Sequence, residues 1–544
     1  MTKPVRRERV LDLQTYGHLS PLATCGDRIV DESGRTVVLR GTNIGGWLLQ
    51  ECWMSPAGNA TIAELDSFGV TAFASEPDAP PQTVVGRGMA GRWTSGMPQA
   101  SGQWVTLDMG GMRTFNQITV DAGDWTADSP KGLVVRVSDD GQSWRDVGWV
   151  GGDTARHVLR LPHLTTRHVQ VMLTHPRPDR WWSITEIRLT VSDEFHTRKR
   201  LTERFGPTQA QALLEVYRDN WFTDADFDRL AGIGFNCLRL PIDWQLILEA
   251  DGKPRPVEAA FSRIDWFLDQ AAARGLYVIL DLHGLPGGAN PWHSSGIAGS
   301  NAFWRDPVCQ SRTETVWRAI ARRYRGHPAV AAYDLINEPL VTMGEAESAT
   351  EVVYKFEVTD RLYRAVREED PDHIIMIAVF PDWEHALPPA QFGWTNVVYQ
   401  THHYNFAAQD HHDGMRAFIR HEISRMEQYR DAWGMPVYAG EFWFANFPDL
   451  YDEWLSELNR LGLSWTSWSY KVKNAPGVRG ADGIQHGDGW SLYFDAPHPI
   501  PDLDRDSADE IAAKWAAFRT ENFQPNRTMQ AIYRYHAATP LQEA

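Results

Sequence analysis

Cysteine is scarce. Four residues in 544 (Cys25, Cys52, Cys237, Cys309), with no C-x-x-C pair, exclude a disulfide framework and a cysteine-based zinc site. No stretch approaches the ~18 consecutive apolar residues that a transmembrane helix needs. The opening residues Met1 to Val10 carry positive charges with no apolar run behind them, so neither a secretory leader nor a membrane anchor is expected, and the cytoplasm is the default location. Basic clusters are absent too. The net charge is −17, with acidic and basic residues interspersed, which argues against nucleic acid or anionic membrane as a partner. Nothing in the pattern specifies an oligomeric state.

Tryptophan, by contrast, is plentiful: 24 residues in a chain that is 11% aromatic. Core packing accounts for part of this surplus, and the flat indole face also suits the apolar C–H faces of sugar rings. The length exceeds one ordinary domain. A (β/α)8 barrel of ~250 to 400 residues plus one further module fits it.

Two glutamates stand where apolar, β-prone runs give way to loops. Glu338 follows Ala332-Tyr333-Asp334-Leu335-Ile336-Asn337, and Glu441 follows Val437-Tyr438-Ala439-Gly440. Each carboxylate is expected at the C-terminal tip of a buried strand, facing a shared mouth, where a parallel barrel builds its active site. A pair of carboxylic acids flanking a sugar bond is the machinery of glycoside hydrolysis.

Eight strand-like runs frame them: Val37–Asn43, Phe235–Pro241, Tyr277–Leu282, Val330–Asn337, Ile374–Ala378, Val397–His402, Val437–Gly440 and Leu463–Tyr470. Helical patterns fill the gaps near Glu314–Tyr324, Glu351–Glu369, Arg416–Trp433 and Leu450–Leu461. A further helix is predicted over Ser262–Arg274, with Ser262 and Asp265 as caps and Gly275 as its stop. Arg28–Arg40 reads as a hairpin. The expected fold is therefore α/β, a (β/α)8 barrel over residues 1–60 and 193–544. Between its first and second strands, residues 61–192 change texture to short strands such as Gln103–Asp108, Gln117–Asp121, Leu133–Ser138, Val169–Leu173 and Ile184–Leu189, which read as an inserted all-β sandwich.

Most strands bring a polar or aromatic group to their C-terminal end: Arg239, His283, Asn337 with Glu338, His402 with Tyr404, Glu441, and Trp468 ahead of Lys471. Taken singly, His283 or His402 reads as a satisfied buried histidine and Asn337 as a loop cap. Together they read as a converging pocket.

The motifs Leu39-Arg40-Gly41-Thr42-Asn43-Ile44-Gly45-Gly46-Trp47, Asp281-Leu282-His283-Gly284, Ile336-Asn337-Glu338-Pro339, His402-His403-Tyr404, Gly440-Glu441 and Trp465-Thr466-Ser467-Trp468, in this order, resemble glycoside hydrolase family 5, nearest its exo-β-1,3-glucanase and β-glucosidase branch. That resemblance implies a retaining mechanism with Glu338 as general acid/base and Glu441 as nucleophile. It also implies that Asn337 binds the sugar 2-hydroxyl, that Arg239 and Tyr404 hold the nucleophile, that His283 and His402 line the −1 site and that Trp468 is its stacking platform. No metal or cofactor is required. Arg239 beside Glu441 is expected to keep it ionised, while a second negative charge raises the pKa of Glu338. The chain departs from that branch at Leu48-Leu49-Gln50-Glu51-Cys52-Trp53, where Leu-Glu-Pro-Trp is usual, and at Ala289–Gly296.

Within the insertion, Arg92-Trp93-Thr94-Ser95, Trp104–Gly110, Val137–Trp144 and Thr185-Glu186-Ile187 resemble a coagulation-factor 5/8 type C (discoidin-like) module, similar to family 32 carbohydrate-binding modules. Such modules often carry calcium; the acidic turn expected for it is here Val85–Gly91, which lacks acids, so no calcium is expected. Trp125, Trp181 and Trp182 are candidate sugar platforms. The module could also form a wall of the substrate cleft.

The expected function is hydrolysis of β-glucosides or short β-glucans by double displacement. β-Mannosidase, β-galactosidase or disaccharide-releasing specificity stay open, as does a non-catalytic glycan-binding protein.

Overall fold

The computed structural model describes residues 19–51, 54–55, 60–61, 71–74, 92–342, 347–473, 489–494 and 498–540. Eight parallel strands close on themselves: β1 (Arg40–Asn43), β2 (Cys237–Asp243), β3 (Tyr277–Gly284), β4 (Val330–Asp334), β5 (Ile374–Val379), β6 (Val397–Tyr404), β7 (Val437–Trp443) and β8 (Ser464–Ser467). Each pairs with the next in chain order, and β8 returns to β1 with Trp465 opposite Arg40. Every residue of β2, β3, β4 and β7 is buried, as expected of parallel strands covered on both faces. All eight predicted strand runs are present.

The crossover helices cover the barrel: Val257–Ala272, Pro307–Tyr324, Ala349–Glu369, His412–Trp433 and Pro448–Leu461. The first begins five residues before its predicted start. Pro256 pre-sets the backbone there, so Ser262 lies inside the helix and Asp265 accepts from Arg323 of the next helix instead of capping its own. Helical segments that sequence patterning did not single out, Glu194–Trp221, broken by a kink at Gly206, and Asp224–Ile233, lie between the insertion and β2. Ahead of β1, Arg28–Asp31 pairs with the preceding Leu22–Cys25, while the hairpin predicted over Arg28–Arg40 is reduced to a single bridge between Val30 and Thr36.

The insertion is all-β. Seven strands form one antiparallel sheet, and Trp93–Pro98 pairs with Trp181–Ile184 in a second. Predicted short strands merge: Gln103–Asp108 and Gln117–Asp121 belong to one strand, Trp104–Asp121, which pairs with Arg156–His175 through two register shifts. Such bulges let a single strand bend without ending. Trp182 is fully buried, edge-on to Trp93 at 5.4 Å, which removes it from the candidate sugar platforms. Trp125 and Trp181 are about half exposed. The Val85–Gly91 turn lies outside the described residues. No helix among the described residues is long and apolar enough to cross a membrane.

Candidate active site

The C-terminal ends of the barrel strands bring the predicted polar residues together. Arg239, wholly buried in β2, is the hub. Its Nη1 donates to Glu441 Oε1 at 2.7 Å and to Asn43 Oδ1 at 3.0 Å, its Nη2 to Asn337 Oδ1 at 2.9 Å, and its Nε to Asp334 Oδ2 at 3.0 Å. Asp281 lies 3.1 Å from Nη2. One buried cation thus faces three carboxylates, so the charge of Arg239 itself is fully met.

Tyr404 completes the grip on Glu441, its hydroxyl donating to Oε2 at 2.7 Å. A register shift between Thr401 and His402 sets His402 opposite Glu441 and Tyr404 opposite Trp443. His402 Nδ1 lies 2.9 Å from Glu338 Oε1 and 3.4 Å from Glu441 Oε2, so one imidazole nitrogen lies between both carboxyl groups. Burial holds the pKa of His402 down at about 3, which keeps this bridge neutral. Ligand-type atoms of Glu338, His402 and Glu441 all lie within 4.8 Å of one another.

Asn337 is oriented by Arg239: with its Oδ1 accepting from the guanidinium, its amide NH2 faces His283 Nε2 at 3.1 Å, while His283 Nδ1 meets Asp281 at 2.6 Å. Trp468, almost wholly buried, lies nearly parallel to the His283 ring at 5.5 Å. Outward from Tyr404 an aromatic wall continues through Trp443, Trp490 and Phe406. Trp443 and Trp490 stack at 4.6 Å, and Phe406 is 59% exposed.

Glu338 has a positive φ of 44°, a conformation that costs a non-glycine residue about 1–3 kcal/mol and persists only where neighbours impose it. Its pKa is raised to about 7, foremost by burial and further by Glu51, against His283 and Arg239. Burial raises Glu441 as well, opposed by His402 and Arg239. Desolvation thus works on both acids, and for Glu338 it outweighs the second negative charge expected to raise it. With Arg239 and Tyr404 both donating to it, Glu441 is the member of the pair that holds the negative charge.

Residues 204–474 match the model of Cellulase (glycosyl hydrolase family 5), and residues 70–187 match that of the F5/8 type C domain. The chain carries a glycosyl hydrolase family 5 domain and, before it, an F5/8 type C domain. It is 29% identical over 306 residues to a "Beta-xylosidase" of Phanerodontia chrysosporium, a match spanning 51% of this chain and 62% of that one. It is 31% identical over 210 residues to a "Probable glucan 1,3-beta-glucosidase A" of Aspergillus niger, spanning 38% and 47%. The chain thus covers about half the length of these relatives. Among solved structures, that of the rutinosidase from Aspergillus niger is similar with a TM-score of 0.43 at 20% identity, covering 52% of this chain and 84% of that one.

This family 5 barrel also places residues at its mouth that sequence reasoning passed over. Glu51, noted only as part of a departure from the usual segment, is 4% exposed. Its carboxylate stands 3.3 Å from His293 Nε2 and 3.8 Å from His283 Nε2. A glutamate at that spacing after Gly45-Gly46-Trp47 was the available signal. Asn43, Asp281 and Asp334 are the other unflagged members, visible in sequence only as polar residues inside strand runs. Cys52 and Trp53 lie outside the described residues.

Proposed function

We propose that this family 5 chain is a retaining β-glycosidase that hydrolyses β-glucosides or short β-glucans through a glycosyl-enzyme intermediate. The observation that carries the reading is the close approach of Glu338 and Glu441, bridged by one neutral histidine. Retention by a covalent intermediate requires carboxyl groups only ~5 to 5.5 Å apart, whereas inversion leaves room for a water between them.

In the first step Glu441 attacks the anomeric carbon and forms a glycosyl ester, while the bond to the leaving oxygen breaks and that oxygen takes the proton of Glu338. Glu338, now ionised, removes a proton from water, which attacks the same carbon and expels Glu441. The sugar leaves with its original configuration. Arg239 and Tyr404 stabilise the carboxylate of Glu441 before attack and after release. Asn337, held by Arg239 and His283, is suited to the 2-hydroxyl, where contacts strengthen in the transition state. His283 and His402 line the −1 site and Trp468 floors it.

The division into residues 1–60 with 193–544 as catalytic barrel and 61–192 as inserted sandwich belongs to the same proposal. So does a cytoplasmic setting, supported by the unpaired thiols of Cys25, Cys237 and Cys309. A β-xyloside is the second substrate to consider, favoured by the likeness to a protein named beta-xylosidase.

The experiment is a panel of aryl β-glycosides (glucoside, xyloside, mannoside, galactoside) with the product anomer read by NMR. The expected result is cleavage with a β-anomer as first product, and loss of nearly all turnover in Glu441→Gln. An α-anomer would refute double displacement. No cleavage, together with binding on a glycan array, would establish the lectin-like alternative.

A further inference from the structure

We propose that the inserted sandwich braces the acid/base, with Asp193, at the junction of sandwich and barrel, positioning Glu338 through the loop of residues 285–304. This rests on the reading of Glu338 as general acid/base. The path begins inside the sandwich, where Asn116 and Ser192 exchange hydrogen bonds of 2.8 and 2.7 Å. The next residue, Asp193, has no exposed side-chain surface. It caps the helix Glu194–Trp221 by accepting from the His196 N–H with Oδ1 at 2.7 Å, and with Oδ2 it accepts from the Ala298 N–H of the loop at 2.8 Å. Alongside, the Phe195 N–H donates to Gly296 O at 2.9 Å.

The loop is anchored in the sandwich as well as in the barrel. Ala298 is buried within the sandwich's apolar core. Gly299, at φ +81°, lies so close to Thr114 that an added Cβ would stand 2.8 Å from its Oγ1 and Cγ2. On its other flank the loop grips the backbone around Glu338. Asn290 Nδ2 donates to Glu338 O at 3.2 Å, the Leu340 N–H to Ala289 O at 2.9 Å, and Asn301 Nδ2 to Val341 O at 2.9 Å. Ser295 Oγ, donating to Asn290 O at 2.8 Å, ties the two flanks together. Because Glu338 sits at a φ that an L-residue holds only under constraint, the aim of its carboxyl depends on this strut, and the strut ends in the inserted module. Asp193 reaches no substrate; it is a positioning residue.

Asp193→Asn separates the two roles of this side chain. Asparagine is as good an N-cap as aspartate, but with its single oxygen turned to His196 it presents an NH2 to the Ala298 N–H, and the brace is lost. The experiment measures kcat/KM of the full chain on aryl β-glycosides whose phenols span a wide range of acidity, for the wild type, Asp193→Asn, Gly299→Ala and Glu338→Gln. General acid catalysis is worth about 10²- to 10⁴-fold on poor leaving groups, so a misaimed acid should lose about tenfold on weakly acidic phenols and under about twofold on dinitrophenol. Asp193→Asn is expected to show this selective loss, steepening the leaving-group dependence toward that of Glu338→Gln. Gly299→Ala, which pushes the loop off Thr114, is expected to show the same and serves if the first variant does not fold. A uniform drop across all leaving groups, or none, overturns the proposal. A Glu338→Gln profile parallel to wild type overturns the acid/base reading itself.

Discussion

Glu441 is buried and Glu338 is partly open to the mouth, but what chiefly divides their chemistry is the set of donors each one meets. Glu441 receives two strong hydrogen bonds, from Arg239 and Tyr404, whereas Glu338 faces a neutral His402 and the charge of Glu51. A proton is therefore retained on Glu338 up to about pH 7. On the proposed assignment of Glu338 as the acid, which must be protonated to act, kcat/KM on substrates with poor leaving groups is expected to decline as the pH rises through about 7. His402, with its pKa depressed to about 3, adds no limb near neutrality. Removing the titrating acid in Glu338→Gln should abolish the basic limb; its survival would assign that limb to another group. The pair was legible in the sequence because each glutamate closes an apolar strand run. Glu51 was not, because it lies on a loop and only closure of the barrel sets it against His283 and His293. The chief cause of the Glu338 shift escaped as well, since burial is a property of the assembled mouth.

At the level of elements, the eight barrel strands were readable because parallel strands buried on both faces leave nearly continuous apolar runs bounded by polar ends. Helix starts were less so: Ser262 resembles a cap in sequence, yet Pro256 had already set the backbone. In the sandwich, bulges carry one strand past the polar residues that look like turns. Strand β1 shows a constraint that only the closed barrel creates. A Cβ built on Gly41 would lie 1.7 Å from the carbonyl oxygen of Cys237 on β2, so the seam between first and second strands is closed by the absence of a side chain. Gly41→Ala is expected to destabilise the chain by about 1–3 kcal/mol or more, as overpacking does, with a lowered Tm in calorimetry and weakened turnover, because Asn43 two residues on holds Arg239. An unchanged Tm would mean that the seam can open at no cost.

At the scale of the whole molecule, the sandwich and the barrel meet through buried charge. Arg188, 4% exposed on the sandwich strand Glu186–Val191, donates to Asp502 at 2.6 Å and approaches Asp504 at 3.3 Å, while Arg505 pairs with Glu186 and Arg156 reaches Asp502 at 3.3 Å. These contacts join residues more than 300 positions apart, which is why nothing in the local pattern announced them. Removing one partner of a buried pair leaves the other charged and dry, so Arg188→Ala is expected to cost about 3–5 kcal/mol. The sign of the pH dependence follows from Asp502. Burial would raise its pKa, but Arg188 holds it at about 2. Since the unfolded value is about 3.9, the stabilisation is complete above that pH and is lost as the pH falls through about 2. Thermal unfolding of wild type and Arg188→Ala between pH 6 and pH 2.5 measures this. The gap between the two Tm values should hold level from pH 6 down to about pH 4 and narrow below it, as Asp502 begins to protonate in the unfolded chain; a gap that stays constant down to pH 2.5 would show that Arg188 holds the two bodies together by packing and not by charge.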